Sequence, residues 1–358
     1  MKALILVMFV SVALHRQDAA AQGFIRLSVV DGRDTLVAPD GKPFFAHGVN
    51  HIGRHGAGDG ARSVSDACKA MGFNAYGYGT PDELHDDLPY LESWNDLVPM
   101  SLHRVDGSFR FVDIFDPAVQ TEISAKIEKT CAKSRENKNL IGYLWTDLAA
   151  WPLENKQNQN WVQFIRALPT EAPGRKAYEQ FVASGEKEDI QFLRLFAREY
   201  FKVLGTATRK HDPNHLIFGD RFIFSTIVPE LIEEMLPYVD AIAIQPNYAA
   251  GFPRAQFDRI HAMTKKPVLI CDFAIRFKDG DKKINGGKLE ASAEDAGKAY
   301  TDYIREAAAT GYIVGAFWCN LIDSPQNSGV KQGLFLEGLE TRSGLDEPIR
   351  RLNQELRR

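Results

Sequence analysis

Asp147 and Asp272 each stand at the end of a short apolar run. Two carboxyl groups facing each other across a sugar are what glycosidic cleavage requires. One gives a proton to the leaving oxygen, and the other attacks the anomeric carbon or activates a water against it. Residues at the ends of the other apolar runs suit the same kind of substrate. Asn50 and His51 follow residues 44–49, Asn74 immediately precedes the run at 75–78 and Tyr76 lies within it. Trp145 precedes Asp147, with Trp151 a few residues on; Arg221 follows residues 216–219. Gln245 and Tyr248 close the run at 241–245, Arg276 follows Asp272, and Trp318 and Asp323 close the last run. Amides and charged groups fix sugar hydroxyls, while indole and phenol rings stack on the apolar face of a pyranose. The competing readings are structural. A lone Asp behind a strand is often a helix cap or an ion-pair partner, and His51 is as well suited to a core bond with a carboxylate as to a sugar hydroxyl.

These residues share a position only if the runs are parallel strands. Apolar runs at 44–49, 75–78, 96–100, 140–145, 216–219, 241–245, 267–273 and 313–318 alternate with helical stretches. That alternation predicts a parallel sheet with crossover helices. Eight strands close a (β/α)₈ TIM barrel, whose chemistry sits at the C-terminal ends of its strands. The run at 96–100 is the weakest of the eight. A helix is expected over 117–133, capped by Asp116 and started by Pro117, with Ile123, Ile127 and Cys131 on its inner face. Residues 151–188 read as a loop inserted over the active face, ahead of a long helix over 189–210. Residues 22–43, with a turn at Asp40-Gly41, read as an N-terminal β-hairpin segment packed on a barrel spanning 44–358.

Residues 1–21 read as a signal peptide: Lys2 is followed by apolar residues 3–14 and the small residues Ala19, Ala20 and Ala21. The apolar stretch is too short to span a bilayer, so the expectation is export to the periplasm or beyond, with no membrane association after signal removal. The chain has 358 residues, 44% hydrophobic and 25% charged, with a net charge of -4. This is globular composition without the basic stripe of a nucleic-acid partner. No phosphate loop is present, and Gly56, Gly58 and Gly60 lack the strand-to-helix context of a dinucleotide site. Cys68, Cys131, Cys271 and Cys319 show neither CxxC spacing nor a Cys/His cluster, and free buried thiols are expected, two of them on strands. No cofactor and no compact set of metal ligands is expected, a structural Ca²⁺ being left open. Oligomeric state is not set by any feature of the sequence.

Several motifs resemble a known group. They are "GKPFFAHGVNHIG" at 41–53, "FVDIFDP" at 111–117, "LIGYLWTDLAAW" at 140–151, "KPVLICDFA" at 266–274 and "GAFWCNLID" at 315–323. In this order they resemble the clan of retaining (β/α)₈ glycoside hydrolases, and most of all its β-agarase-type families, over residues 41–345. The resemblance implies an acid/base Glu after an Asn at the end of strand four and a Glu nucleophile on strand seven. Asp147 falls on the Asn position, Leu148 on the first Glu position and Asp272 on the second. Three readings follow. In the first, Asp147 and Asp272 form the pair, and their shorter side chains leave room for water, leaning to inversion. In the second, Asp272 acts with Asp323, Glu154 or a loop His. The third is a glycan-binding barrel without hydrolysis, or a transglycosylase. The resemblance points to galactose-containing algal glycans. Arg54, His55, Arg221, Arg276 and Lys278 either favour an anionic or sulfated glycan or balance the local aspartates.

Overall fold

A computed structural model describes residues 23–55, 58–94, 97–98, 112–147, 160–246, 251–278, 289–323 and 330–357. Its barrel strands are short and buried on both faces, as parallel strands flanked by helices must be. They are β4 (Ala46–Val49), β5 (Ala75–Tyr76), β6 (Tyr90–Ser93), β7 (Leu140–Leu144), β8 (Leu216–Gly219), β9 (Arg221–Phe222), β10 (Ile242–Ile244), β11 (Val268–Phe273) and β13 (Ile313–Trp318). Their order around the sheet is β8-β7-β6-β5-β4-β13-β11-β10-β9, every pair parallel.

The two ends of that list are one strand broken in the middle. Gly219 takes a left-handed φ of 74°, which a side chain resists, and a Cβ there would sit 2.7 Å from Met235 Sδ. The chain bends at this point and leaves β7 for β10. Before the bend, Trp145 N donates to Gly219 O at 2.8 Å; after it, Gln245 N donates to Phe222 O at 2.7 Å. Arg221 N also reaches Thr146 O at 2.9 Å, so the ring closes with eight strand positions. Asp220, at the bend, accepts from Thr146 N and from the Tyr200 hydroxyl, each at 3.1 Å.

Small and medium side chains, among them Ala46, Ala75, Leu91, Leu269 and Cys271, fill the barrel together with Phe218 and Phe317. Larger ones fill the shell between sheet and helices, including those of α2 (Pro117–Ser134), α5 (Asp189–His211) and α8 (Ala293–Ala308). Asp116 caps α2 as expected, accepting from Ala118 N at 2.8 Å, and Ile123, Ile127 and Cys131 are buried. Each such large side chain contributes roughly 1.5–3 kcal/mol by burial.

The third strand and the stretch after the fourth differ from the sequence expectation. The third barrel strand is β6, not residues 96–100, because Tyr90–Ser93 carries the pairing with both β5 and β7. Of the expected segment only Leu97 and Val98 are described. The stretch after strand four contains helices α3 (Trp161–Arg166) and α4 (Pro173–Ala183), α3 starting with an Asn160/Gln163 capping box. Residues 148–159 lie outside the described set, as do residues 1–22 with the expected signal.

A separate antiparallel sheet precedes the barrel, β1 (Arg26–Val30), β2 (Arg33–Val37) and β3 (Pro43–Phe44) in that order. Its first turn uses Asp31 and Gly32, both left-handed; Asp40-Gly41 makes the second. Phe44, expected in the first barrel strand, pairs with Leu36 in β3 instead. Asp34 N donates to Gly311 O at 2.8 Å and ties the sheet to the entry of β13. A ribbon of β12 (Phe277–Lys278) and β14 (Val330–Lys331) follows β11 and β13. No described helix is long and apolar enough to cross a membrane.

Candidate active site

Asp272 is the penultimate residue of β11 and is 9% exposed. Its Oδ2 accepts a hydrogen bond from the Tyr78 hydroxyl and another from Gln245 Nε2 at 3.2 Å. Burial raises the Asp272 pKa above the ordinary carboxyl range, while the bonds from Tyr78 and Cys319 and the charge of Arg221 oppose that rise. Arg221 is fully buried just past the strand break. Its guanidinium carbon lies 4.0 Å from the centre of the Tyr78 ring, and its Nη2 is 3.3 Å from Asp147 Oδ1. Asp147 follows β7, so a buried arginine stands in the field of both carboxylates. The arrangement can hold two acids at one barrel mouth without leaving their charges unopposed.

On the neighbouring strands, His51 follows β4 and Cys319 follows β13. His51 has a left-handed φ of 62°, unusual for a residue with a side chain. Hydrogen bonds from His51 N to Tyr78 O (2.8 Å) and from Arg54 N to His51 O (3.1 Å) hold it there. The ring meets the Tyr78 ring edge-on, centroids 4.7 Å apart. Asn50 lies beneath, fully buried; its Nδ2 donates to Cys271 O at 2.8 Å and its Oδ1 accepts from Tyr78 N at 3.1 Å. Gly77 makes room for that amide, since a Cβ there would overlap Asn50. Asn50 thus ties β4 to β11 and to the residues after β5 rather than facing solvent.

The structure brings Asp147, Asp272, His51, Arg221 and Gln245 together and places other candidates elsewhere. Asn74 sits at the N-terminal end of β5, accepting from His47 N and donating to Phe45 O. Tyr76 points outward, its hydroxyl donating to Asp87 at 2.6 Å beside Ser65. Trp145 and Trp318 are fully buried in the shell, Trp145 stacked on Phe201 and Trp318 donating from Nε1 to Gln332 O at 2.9 Å. Arg276 donates to Gln332 Oε1 at 3.0 Å, and Asp323 accepts from Gln332 N, Gly333 N and Arg342, which fastens the chain after β13. Trp151, Glu154 and Tyr248 lie outside the described residues.

Two residues of the mouth were not singled out from the sequence. Tyr76 is the tyrosine expected in the site, but Ala75 fills the barrel interior and turns its neighbour Tyr76 outward, and Tyr78, past the end of β5, enters the mouth instead. Cys319 was expected as a buried strand thiol. It is half-buried beyond the end of β13 and bonds to Asp272, a proximity that strand order alone creates. A groove of about 890 Å³ at the opposite end of the barrel includes Arg209 and Lys266, which bond to Asp240 and to Val239 O.

No family model matches the chain. β-Agarase B from Vibrio sp. (strain JT0107) is 29% identical over 140 residues, which is 39% of this chain and 15% of the relative. β-Agarase A from the same strain is 28% identical over 189 residues, 49% of this chain and 18% of the relative. The matches therefore take in less than a fifth of each relative's length. The crystal structure of an agarase, AgWH50C, superposes with a TM-score of 0.76 at 18% identity, over 94% of this chain and 64% of that one. The chain resembles the β-agarases. It shares with AgWH50C the barrel fold described above, and the agarase-like barrel carries Asp147 and Asp272 at the C-terminal ends of strands four and seven.

Proposed function

We propose that this agarase-like barrel is an exported glycoside hydrolase acting on a galactose-containing polysaccharide, with Asp272 and Asp147 as its carboxylate pair. The observation that carries the proposal is the setting of Asp272: little exposed at a strand end, bonded by Tyr78 and Gln245, and opposite an Asp147–Arg221 ion pair. A carboxylate made more basic by burial suits the activation of water. Asp272 is therefore assigned as the base and water as the nucleophile, and Asp147, which must first take up a proton against the charge of Arg221, as the group that protonates the leaving oxygen. This makes the reaction inverting. Two donors to Oδ2 orient the carboxylate and offset part of the basicity that burial gives it.

The test is hydrolysis of a panel of neutral and sulfated galactan oligosaccharides, with the anomer of the first product followed by NMR. Asp272→Asn and Asp147→Asn are each expected to lose about 10²–10⁴-fold in kcat/KM while still binding oligosaccharide. Unchanged turnover in both variants would overturn the assignment, and a product of retained configuration would remove the water-activating role. Binding without turnover by the native chain would leave a glycan-binding barrel.

A further inference from the structure

His51, Asp272 and Cys319 lie on three adjacent strand ends, and more than two hundred residues of sequence separate His51 from the other two. In the fold they offer a ring nitrogen, a carboxylate oxygen and a sulfur, all within 4.8 Å of one another. We propose that these three residues bind one divalent transition-metal ion of the zinc class at the barrel mouth. In a tetrahedral zinc site, bonds of about 2.0–2.3 Å put ligand atoms about 3.5 Å apart, so shifts on the order of an ångström close the set.

The chemistry of the donors selects the ion. Thiolate and imidazole favour zinc-class ions over magnesium and calcium, which prefer all-oxygen cages. Three protein ligands leave a fourth position, the arrangement of an accessible rather than a sealed zinc site. The supports that orient metal ligands are also in place. Tyr78 and Gln245 hydrogen-bond the Asp272 carboxylate, and His51 is fixed by its backbone bonds and by the edge of Tyr78. Burial and the neighbouring Asp272 hold the Cys319 thiol well above its ordinary range, only partly opposed by Arg54 and Arg276, so the thiol keeps its proton until an ion displaces it. On binding, the Sγ proton leaves to solvent; a neutral imidazole, a carboxylate and a thiolate then balance the charge of the ion.

The consequence for turnover rests on the reading of Asp272 as the base. A carboxylate bound to the ion cannot take a proton from water, so the ion holds the barrel in a non-hydrolytic state. The ion and the galactan reaction therefore compete for one side chain.

The experiment uses the untagged full chain, stripped with a chelator and titrated with cobalt(II). One equivalent should produce a thiolate-to-cobalt charge-transfer band in the near ultraviolet. The band should vanish in Cys319→Ser. Zinc affinity, read by competition with a chromophoric chelator, should fall at least about tenfold in Cys319→Ser and in His51→Gln. Circular dichroism of both variants checks that they are folded. Absence of the band, or zinc affinity unchanged in a folded Cys319→Ser, overturns the proposal. In the galactan assay, zinc should suppress the native chain and spare Cys319→Ser. Cobalt binding by a chain that hydrolyses nothing upholds the metal site and overturns only the hydrolase reading.

Discussion

The Arg221 guanidinium lies 4.0 Å from the centre of the Tyr78 ring, with the Tyr78 hydroxyl bonded to Asp272 and the guanidinium itself 3.3 Å from Asp147. The two acids of the barrel mouth are thereby linked through one cation and one phenol.

Removing the cation should expose that dependence. Arg221→Met leaves Asp147 and Asp272 without their shared countercharge in a buried setting, and is expected to destabilise the fold by about 3–5 kcal/mol. Adding Asp147→Asn should recover part of the loss, with a coupling on the order of 1–3 kcal/mol in a double-mutant cycle of urea midpoints. Simple additivity of the two substitutions would show that the ion pair does not couple them.

Asp272 should trade stability for activity. Because burial raises its folded pKa, this group's contribution to stability is full at acid pH and is lost as pH rises through that raised value. Asp272→Asn, which cannot ionise, should melt about 2–4 °C above the native chain at neutral pH. The difference should disappear on acidification. Melting curves across pH, taken beside turnover, check both halves.

Tyr78→Phe deletes a donor that favours the ionised carboxylate. The Asp272 pKa, already raised by burial, should rise further. The acidic limb of the kcat/KM profile should then move to higher pH, with a smaller change at its plateau. A purely structural tyrosine would lower the plateau and leave the limb in place.

His47 belongs to the scaffold and predicts a different pH response. Its Nδ1–H donates to Asn353 Oδ1 at 2.5 Å, and its Nε2 accepts from the Tyr300 hydroxyl at 2.6 Å. Burial lowers its pKa from 6.5 to about 4. The stability this gives is complete above pH 6.5 and is lost as pH falls toward 4, amounting to about 3 kcal/mol. In His47→Gln, urea midpoints should flatten over that interval.

Much of the scaffold was readable because buried parallel strands are nearly continuous apolar runs; residues 216–219 and 313–318 are bounded in the fold as in the sequence. The third strand was misplaced because Glu92 and Ser93 are only half-buried, giving Tyr90–Ser93 a weaker apolar signal than its pairing warrants. Facing was harder than position. Trp145, Trp318 and Tyr76 sit at strand ends, yet each is turned into the shell, while their neighbours Leu144, Phe317 and Ala75 face inward. An unaligned strand shows its alternation but not which face is inside. The meeting of His51 with Asp272 and Cys319 was invisible for a stronger reason: β11 and β13 are consecutive barrel strands, but β4 joins them only when the ring forms.

The bend at Gly219 makes the barrel two half-barrels joined by one peptide segment, one running from β4 to β8 and the other from β9 to β13. Asp147, His51 and Tyr78 belong to the first half; Arg221, Gln245, Asp272 and Cys319 belong to the second. Neither half holds both carboxylates, and neither holds all three ligand atoms of the cluster. The mouth is therefore a property of the closed ring, and a chain severed near residue 219 would regain it only by complementation between its two fragments.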